Sequence, residues 1–249
     1  MLKTERQQMI LKIVEQNGKA ETNDLVKKFN VTEDTIRKDF NSLSNKGLVK
    51  RTHGGVMKIQ GVLDYDYRLT QDVATKKKIA KVICDYLIQF KTIFIDSGST
   101  NQIIAEELLN KYHGTIITNS PAIALSLSRN KQIKIEIIGG SLNPRTKVIL
   151  GTKSINEISQ LNLECTLLGV SSIDFKMGIT YPNNDEATLK TTLIKQSKNI
   201  VVAISKEKLE TFSTFSAGQL SDVNALYTDE TNKSLLKKYK QKIARVISC

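Results

Sequence analysis

The stretch that decides the fold of the first part of this chain is Thr32-Glu-Asp-Thr-Ile-Arg-Lys-Asp-Phe40. Ile36, Phe40 and Leu43 recur at the spacing of one helical face, which predicts a short helix with one side packed inward. The arginine and lysine between them lie outside that face, so the same helix also has a basic edge that faces away from the core. Thr32 has the side chain of an N-cap and marks the start of the helix.

Two further helices and a hairpin surround this stretch. Residues 4–16 have apolar side chains on one face and end at Asn17-Gly18, a usual helix stop. A second helix follows Thr22. In residues 48–59, two strand-like runs flank Gly54-Gly55, which indicates a tight hairpin. Three helices followed by a basic hairpin are typical of a winged helix-turn-helix, a DNA-binding module.

The charge of the chain favours a polyanionic partner. Lysine and arginine outnumber aspartate and glutamate by 37 to 25, which gives a formal net charge of +12. Residues 1–60 hold 12 basic and 7 acidic residues, a net charge of +5, against +7 in the other 189 residues. Charge says nothing about fold, but a basic first segment agrees with a DNA-binding module there.

Composition also bears on several other classes of protein. No apolar run approaches the roughly 20 residues that span a bilayer, and the first residues lack a signal-peptide core, so we expect a cytoplasmic protein with no membrane partner. Cys84, Cys165 and Cys249 form neither a CxxC pair nor a metal-ligand spacing. We therefore expect reduced thiols, no metal ion and no cofactor.

After a helix expected over about residues 72–89, short β-branched runs alternate with helical stretches. The runs lie at 92–95, 115–118, 133–138, 165–170, 199–204, 224–227 and 242–247, and the helical stretches at about 100–111, 121–129, 152–160, 185–197 and 231–239. This alternation predicts an α/β domain with a mainly parallel sheet, in which ligands bind beyond the carboxyl ends of the strands. We divide the chain into a winged helix-turn-helix domain (1–60), a linker (61–75) and the α/β domain (76–249).

The side chains expected nearest to DNA belong to the third helix and the hairpin. Arg37 suits a bidentate contact with guanine, which contributes about 1–3 kcal/mol of discrimination between bases. Lys38 and the hairpin cations are expected on phosphates, which position the protein without reading sequence. A basic helix face that is merely solvated is the alternative explanation. The predicted DNA-binding residues are Thr32, Thr35, Arg37, Lys38, Asn41, Lys50, Arg51 and His53.

Three motifs of the first 60 residues resemble the DeoR-type bacterial repressors. They are Glu5-Arg6, Thr32-x-x-Thr35-Ile36-Arg37-Lys38-Asp39 and His53-Gly54-Gly55. Many members have a second arginine in place of Lys38, which keeps the charge but provides a planar donor fork that lysine lacks. The resemblance covers nearly the whole chain. It implies a transcriptional repressor of sugar metabolism, which we expect to bind double-stranded operator DNA as a homodimer or homotetramer.

The resemblance also implies a larger domain that senses a phosphorylated sugar or a related metabolite. A domain of this type is similar to the fold group of ribose-5-phosphate isomerase and the CoA-transferases. The stretch Gly169–Thr180, followed by Glu186 and Lys190, resembles the family's sensor signature. Ala203 departs from the family pattern, since an aspartate is common there, so we assign no role to Lys206.

Polar loops that follow three of the predicted strands are the other candidates for effector binding. Asp96-Ser97-Gly98-Ser99-Thr100 sits between a strand and a helix, where N–H groups and hydroxyls converge on an anion. Ordinary strand-to-helix turns also favour glycine and serine, so a turn without a ligand stays an alternative. The predicted effector-binding residues are Asp96, Ser97, Gly98, Ser99, Thr100, Asn119, Ser120, Gly139, Gly140, Gly169, Gly178, Glu186 and Lys190.

The roles of Glu186 and Lys190 have two interpretations. They are four residues apart and therefore share a helical face, so an intrahelical ion pair worth roughly 0.3–0.5 kcal/mol is the simpler one. The other places Lys190 on the phosphate of the effector and lets Glu186 orient it or accept a sugar hydroxyl.

Three functions are compatible with this sequence. A repressor that a phosphorylated sugar releases from its operator explains both predicted domains. An enzyme similar to a sugar-phosphate isomerase would use Asp96, Asp174, Glu186 and Lys190 in proton transfer, but a DNA-reading module has no place in such an enzyme, so we expect no catalytic residues. An architectural DNA binder without an effector would leave the large α/β domain unexplained.

Overall fold

The computed structural model describes residues 1–58 and 64–249. They form two compact units, Met1–Arg68 and Leu69–Cys249. The fold class predicted from the sequence, a winged helix-turn-helix followed by an α/β domain with a mainly parallel sheet, is confirmed.

The first unit is built from helices packed on a small antiparallel sheet. Its elements are α1 (Lys3–Asn17), β1 (Lys19–Glu21), α2 (Thr22–Phe29), α3 (Glu33–Asn45), β2 (Val49–Thr52) and β3 (Gly55–Lys58). The sheet has the order β1-β3-β2, so the predicted hairpin β2–β3 gains a third strand that the sequence analysis did not predict. Ile36, Phe40 and Leu43, the inward face expected of α3, are buried in one apolar cluster with Ile10 of α1.

The segment predicted as a linker, 61–75, is only partly irregular. Its first three residues lie outside the described residues, but a helix, α4 (Tyr65–Thr70), follows, and the next helix already begins at Val73. Tyr65 is buried, Tyr67 packs against the apolar cluster of the first unit, and Leu69 against a cluster of the second. These anchors explain the helix, which is too short to show an apolar periodicity in the sequence.

The second unit contains a seven-stranded sheet in which all neighbouring strands are parallel. Its order is β15-β14-β12-β9-β4-β5-β6. The strands are β4 (Thr92–Ile95), β5 (Gly114–Thr118), β6 (Ile133–Ile137), β9 (Cys165–Leu168), β12 (Ile200–Ile204), β14 (Ala225–Thr228) and β15 (Arg245–Ser248). The helices are α5 (Val73–Leu87), α6 (Ser99–Leu108), α7 (Pro121–Leu127), α8 (Thr152–Ser159), α9 (Asn184–Lys195) and α10 (Lys233–Tyr239). Two apolar clusters include residues of these strands and helices.

Short strands outside the large sheet were not predicted. A hairpin, β7 (Ser141–Leu142) with β8 (Ile149–Leu150), follows β6, and β10 (Ser172–Asp174), β11 (Gly178–Tyr181) and β13 (Phe215–Gly218) form an antiparallel sheet. The strand predicted over 165–170 is shorter in the structure, where β9 ends at Leu168. The last strand begins later than predicted because Ile243 N still donates to Tyr239 O in the turn after α10.

The strand order has a switch point between β4 and β9. From β4 the chain adds β5 and β6 on one side, and it then returns to add β9, β12, β14 and β15 on the other. In open parallel sheets, the crevice at such a point is the usual place for a ligand.

Candidate nucleic-acid interface and effector site

The basic edge of α3 faces solvent. The side chains of Arg37 and Lys38 are 63% and 75% exposed and pair with Glu33 and Asp34 one turn earlier, each at 2.7 Å. Exposed pairs of this kind contribute only about 0.3–0.5 kcal/mol. Both cations can therefore exchange these partners for DNA at little cost.

The beginning of α3 is fixed by a threonine cap. Thr32 Oγ1 accepts a hydrogen bond from Thr35 N at 3.3 Å, and the two hydroxyls are 2.9 Å apart. Thr32 and Asn41 are exposed, and Thr35 is half-buried. The hydroxyl of Thr32 thus has a structural role that is sufficient to explain the residue, whether or not it contacts DNA.

The hairpin β2–β3 presents the other predicted DNA-binding side chains. Lys50, Arg51 and His53 are exposed. The Arg51 guanidinium lies 5.3 Å from the centre of the Phe40 ring, which links the wing to α3. A Cβ atom at Gly55 would lie 2.3 Å from the carbonyl oxygen of Ala20, so the approach of β3 to β1 requires glycine there.

A buried ion pair that the sequence analysis missed holds α3 in place. Asp39 is 1% exposed, forms an ion pair with Arg6 of α1 and accepts a hydrogen bond from Gln7 Nε2 at 3.0 Å. Asp39 is three residues after Ile36 and therefore shares its inward face, which is the signal that could have identified it. The pair aligns α3 with α1 and so determines which edge of α3 faces outward.

In the second unit, the site centres on Asp96 at the carboxyl end of β4. Its carboxylate is fully buried, and Lys190 of α9 contacts both of its oxygens at 2.5 Å. Asn119 Nδ2 donates to Oδ1 at 2.9 Å, and the backbone N–H of Gly169 donates to Oδ2 at 2.8 Å. Four sequence-distant elements, β4, α9 and the loops after β5 and β9, thus converge at the switch point of the sheet.

A second set of hydrogen bonds fixes this cluster. Ser97 N donates to Asn119 Oδ1 at 3.0 Å, and Asn101 Nδ2 donates to the backbone oxygen of Asp96 at 2.8 Å. Tyr181 donates its hydroxyl to the backbone oxygen of Gly169 at 2.6 Å. Burial, with the negative charges of Asp96 and Glu186, raises the pKa of Tyr181 well above its ordinary value, so the hydroxyl stays a donor.

The partner of Lys190 is a finding that sequence spacing does not give. The two interpretations placed this lysine on Glu186 or on a phosphate, whereas its ammonium group pairs with a carboxylate 94 residues away. The charge of Lys190 is therefore balanced within the protein. Glu186 is itself buried on the first turns of α9.

The remaining predicted effector residues differ in their surroundings. Ser97, Gly98 and Thr100 are half-buried at the start of α6, where helix N–H groups without intrahelical partners favour negative charge, and Ser99 is buried beside them. Ser120 caps α7 by accepting from Ile123 N at 3.4 Å.

Three predicted glycines have structural contacts of their own. Gly139 N donates to Glu157 Oε2 at 2.8 Å, and a Cβ at Gly140 would lie 2.3 Å from Ser154 Oγ, so both pack on α8. Gly178 has a φ of +74°, and a Cβ there would lie 2.4 Å from Gly218 O of β13. The contacts of Gly140 and Gly178 are enough to require glycine without an effector, whereas a Cβ at Gly139 would meet only the ends of flexible side chains.

Membrane-spanning and metal-binding features are not found where the structure describes the chain. No helix within 1–58 and 64–249 is long and apolar enough to cross a membrane. The same residues contain no group of three or more His, Cys, Asp or Glu side chains placed to hold a metal ion.

Comparison with known proteins identifies the family. The family model of the DeoR-like helix-turn-helix domain matches residues 6–61, and that of the DeoR C-terminal sensor domain matches residues 71–230. Together with the exposed basic edge of α3 and the buried cluster around Asp96, these matches define the class: the chain is a DNA-binding transcriptional regulator. It belongs to the DeoR family.

Individual relatives align over nearly the whole chain. The glycerol-3-phosphate regulon repressor of Escherichia coli (strain K12) is 31% identical over 92% of both chains. The L-fucose operon activator of Haemophilus influenzae is 29% identical over 94% of this chain and 95% of its own. Among solved structures, ribose 5-phosphate isomerase A of Methanocaldococcus jannaschii aligns with a TM-score of 0.41 and 14% identity over 56% of this chain and 55% of its own.

Proposed function

We propose that this regulator represses a sugar or carbohydrate operon and is released from its operator by a phosphorylated sugar or polyol. The observation that carries the proposal is that the cations of α3 are exposed, whereas the lysine in the second unit is buried. Arg37 and Lys38 are exposed and only weakly held on α3, whereas Lys190 is buried on a carboxylate at the switch point of the sensor sheet. The first arrangement suits DNA, and the second suits a small polar ligand.

The DNA contacts follow from exposure. Arg37 reads a base in the major groove, because a guanidinium that gives up a solvent-exposed partner can make a bidentate contact with guanine. Lys38, Lys50 and Arg51 contact phosphates and contribute affinity on any sequence. Thr35, Asn41 and His53 complete the surface.

The effector contacts follow from the cluster around Asp96. The loop Ser97–Thr100 offers hydroxyls and N–H groups at the start of α6, and these can donate hydrogen bonds to oxygen atoms of the effector. Lys190 and Asp96 offer a donor and an acceptor for its hydroxyls. We expect the effector to lower the affinity for the operator by a factor of about 5–150, which corresponds to a coupling free energy of about 1–3 kcal/mol.

The name of one relative supports a phosphorylated effector. One relative is named for glycerol 3-phosphate and represses, and another is named for L-fucose and activates. We assign repression here because two glycerol-3-phosphate regulon repressors, of Escherichia coli and Haemophilus influenzae, are 31% and 30% identical to this chain, against 29% for the activator. A duplex partner implies a cytoplasmic protein that binds paired half-sites as a homodimer or homotetramer.

The proposal includes the absence of isomerase activity. In this chain the buried carboxylate of Asp96 is held by Lys190, Asn119 and Gly169, so it is poorly placed to act as a base. Turnover of ribose 5-phosphate by the purified protein would contradict this part of the proposal.

The DNA-reading role is tested on the full chain. Selection from randomised duplexes identifies the sequence bound by the wild type, and titrations then compare that duplex with a scrambled one. Arg37→Ala should cost about 1–3 kcal/mol on the selected duplex and little on the scrambled one, whereas Lys50→Ala should weaken both and reduce the salt slope by about one. Lys12→Ala on the exposed side of α1 is the charge-matched control. Equal effects of Arg37→Ala on both duplexes would contradict a reading role.

The sensing role is tested with the same selected duplex. Glycerol 3-phosphate and a panel of triose, pentose and hexose phosphates are titrated against the complex, with glycerol and the free sugars as uncharged controls. We expect one phosphorylated compound to release the duplex and its uncharged counterpart to have no effect. A complex that is indifferent to every phosphorylated compound would remove the sensing half of the proposal.

A further inference from the structure

The hairpin β7–β8 adds an element to the effector site that no prediction used. It leaves the carboxyl end of β6 through Gly139-Gly140 and returns with Ile149, whose backbone N–H donates to Asn119 O at 2.8 Å. The same asparagine holds Asp96 through its side chain. The strand β8 also packs against α9, the helix of Lys190. The hairpin is therefore attached to two of the elements that build the cluster.

Three polar atoms in the loop of this hairpin are buried without a partner. Within the described part of the chain, Arg145 Nε, Arg145 Nη2 and Thr146 Oγ1 are out of contact with solvent and form no hydrogen bond. Thr146 as a whole is only 8% exposed. The two arginine atoms belong to the same edge of the guanidinium, which is the edge that donates two parallel N–H bonds to an oxyanion.

This arrangement is costly in the absence of a ligand. A buried donor without a partner costs about 1–3 kcal/mol. Arg145 as a whole is half-buried, so this cost falls on its Nε and Nη2 groups and on the hydroxyl of Thr146. The backbone of the loop is nevertheless well satisfied, because Asn143 Oδ1 accepts from Arg145 N at 2.9 Å and from Thr146 N at 3.2 Å. The loop therefore holds both side chains in place while their polar groups stay unused.

The charge balance of the site indicates what the missing partner is. The positive charge of Lys190 is matched by Asp96, so this pair adds no net charge to attract a phosphate dianion. Arg145 supplies a cation that no described residue neutralises. Two guanidinium N–H groups and one hydroxyl also make three donors, the number of terminal oxygens on a phosphate monoester.

We propose that Arg145 and Thr146 bind the phosphoryl group of the effector. This inference rests on the proposed function and adds to it the residues that recognise the phosphate. Its chemical content is a bidentate guanidinium contact with two phosphoryl oxygens and a hydroxyl contact with the third.

Calorimetric titration of the full chain with the phosphorylated compound that releases the duplex, and with inorganic phosphate, tests the assignment. Arg145→Gln removes the charge and should weaken binding of both by about 10- to 100-fold, the range for a hydrogen bond between charged groups. Thr146→Val keeps the shape and should weaken binding by about 3- to 10-fold. Arg129→Gln, an exposed arginine of the same unit, should bind as the wild type does.

Thermal unfolding without phosphate separates ligand binding from a structural role. Because Arg145→Gln and Thr146→Val remove buried groups that have no partner, neither variant should melt below the wild type. Variants that melt several degrees lower and still bind phosphate as the wild type does would overturn the assignment. If Arg145→Gln fails to fold, unchanged phosphate binding by Thr146→Val has the same consequence.

The outcomes for the wild type separate this inference from the proposed function. A wild type that no phosphorylated compound releases from DNA refutes the proposed function and this site with it. A wild type that is released normally, while both hairpin variants are released at the same concentrations, refutes only the role of Arg145 and Thr146.

Discussion

Replacing Lys190 with methionine is the most direct test of how the buried cluster around Asp96 is held together. The substitution keeps an unbranched side chain on α9 and removes the ammonium group, so the fully buried Asp96 carboxylate loses the cation that contacts both of its oxygens. Breaking a buried ion pair from one side destabilises a protein by about 3–5 kcal/mol.

The remaining hydrogen bonds to Asp96 decide where in this range the loss falls. Asn119 Nδ2 and Gly169 N still donate to the carboxylate, so we expect the lower end, about 3 kcal/mol. For a unit the size of Leu69–Cys249, each kcal/mol shifts the melting temperature by about 2–4 °C. The expected decrease for Lys190→Met is therefore about 6–12 °C.

The assay is scanning calorimetry of the full chain, in which the transition of the sensor unit is followed. Lys195→Met, at the exposed end of the same helix, is the matched control and should shift that transition by less than about 2 °C. The double variant Asp96→Asn, Lys190→Met removes both charges and should recover much of the loss. If Lys190→Met melts like Lys195→Met, the buried pair does not stabilise the unit and the reasoning fails.

Three further predictions concern other buried contacts. Arg6→Met should lower the stability of the first unit by about 3 kcal/mol, because Asp39 keeps only its hydrogen bond from the neighbouring glutamine; denaturant unfolding measures this, and an unchanged midpoint would contradict it. Gly55→Ala should cost about 1–3 kcal/mol and weaken DNA binding, since its Cβ would overlap Ala20 O; wild-type values for both would show that β3 can shift freely. Burial raises the pKa of the Cys84 thiol from 9.0 to about 12, so the folded protein should resist alkylation of this thiol at pH 8. Because the thiol ionises between these pH values only in the unfolded chain, the free energy of unfolding should fall as pH rises above about 9. Rapid alkylation of Cys84 in the native protein would contradict the burial.

The periodicity of apolar residues along the sequence was sufficient to predict the fold class of each of the two units. The apolar spacing of Ile36, Phe40 and Leu43 identified α3 and its outward edge, and the alternation of short runs and helical stretches identified the parallel sheet. The strands β10, β11 and β13 were missed because each has three or four residues and includes serine or glycine, which weaken a strand pattern. Such strands form through pairing with one another, which periodicity does not encode.

The sequence indicates which loops meet at the candidate site but not the contacts within it. Loops after parallel strands meet at one edge of the sheet, so Asp96 and Asn119 could be placed together from topology. The pairing of Asp96 with Lys190 spans 94 residues, and that of Arg6 with Asp39 spans 33. Neither has a spacing rule, because contacts of this kind depend on how the elements pack. The unpaired Nε and Nη2 donors of Arg145 also follow no spacing rule, because their burial depends on how the hairpin β7–β8 packs.

Four ion pairs of the described residues are of two kinds with different consequences. Arg6–Asp39 and Lys190–Asp96 are buried and join elements that are distant in sequence, so losing one partner costs about 3–5 kcal/mol and acts through the structure. Arg37–Glu33 and Lys38–Asp34 are exposed within one helix, and about 0.3–0.5 kcal/mol is lost when either cation leaves its partner. A phosphate or a base edge easily exceeds that amount. We therefore expect the surface that contacts DNA to be made of cations that are free to exchange partners, while the buried Arg6–Asp39 pair keeps α3 aligned with α1.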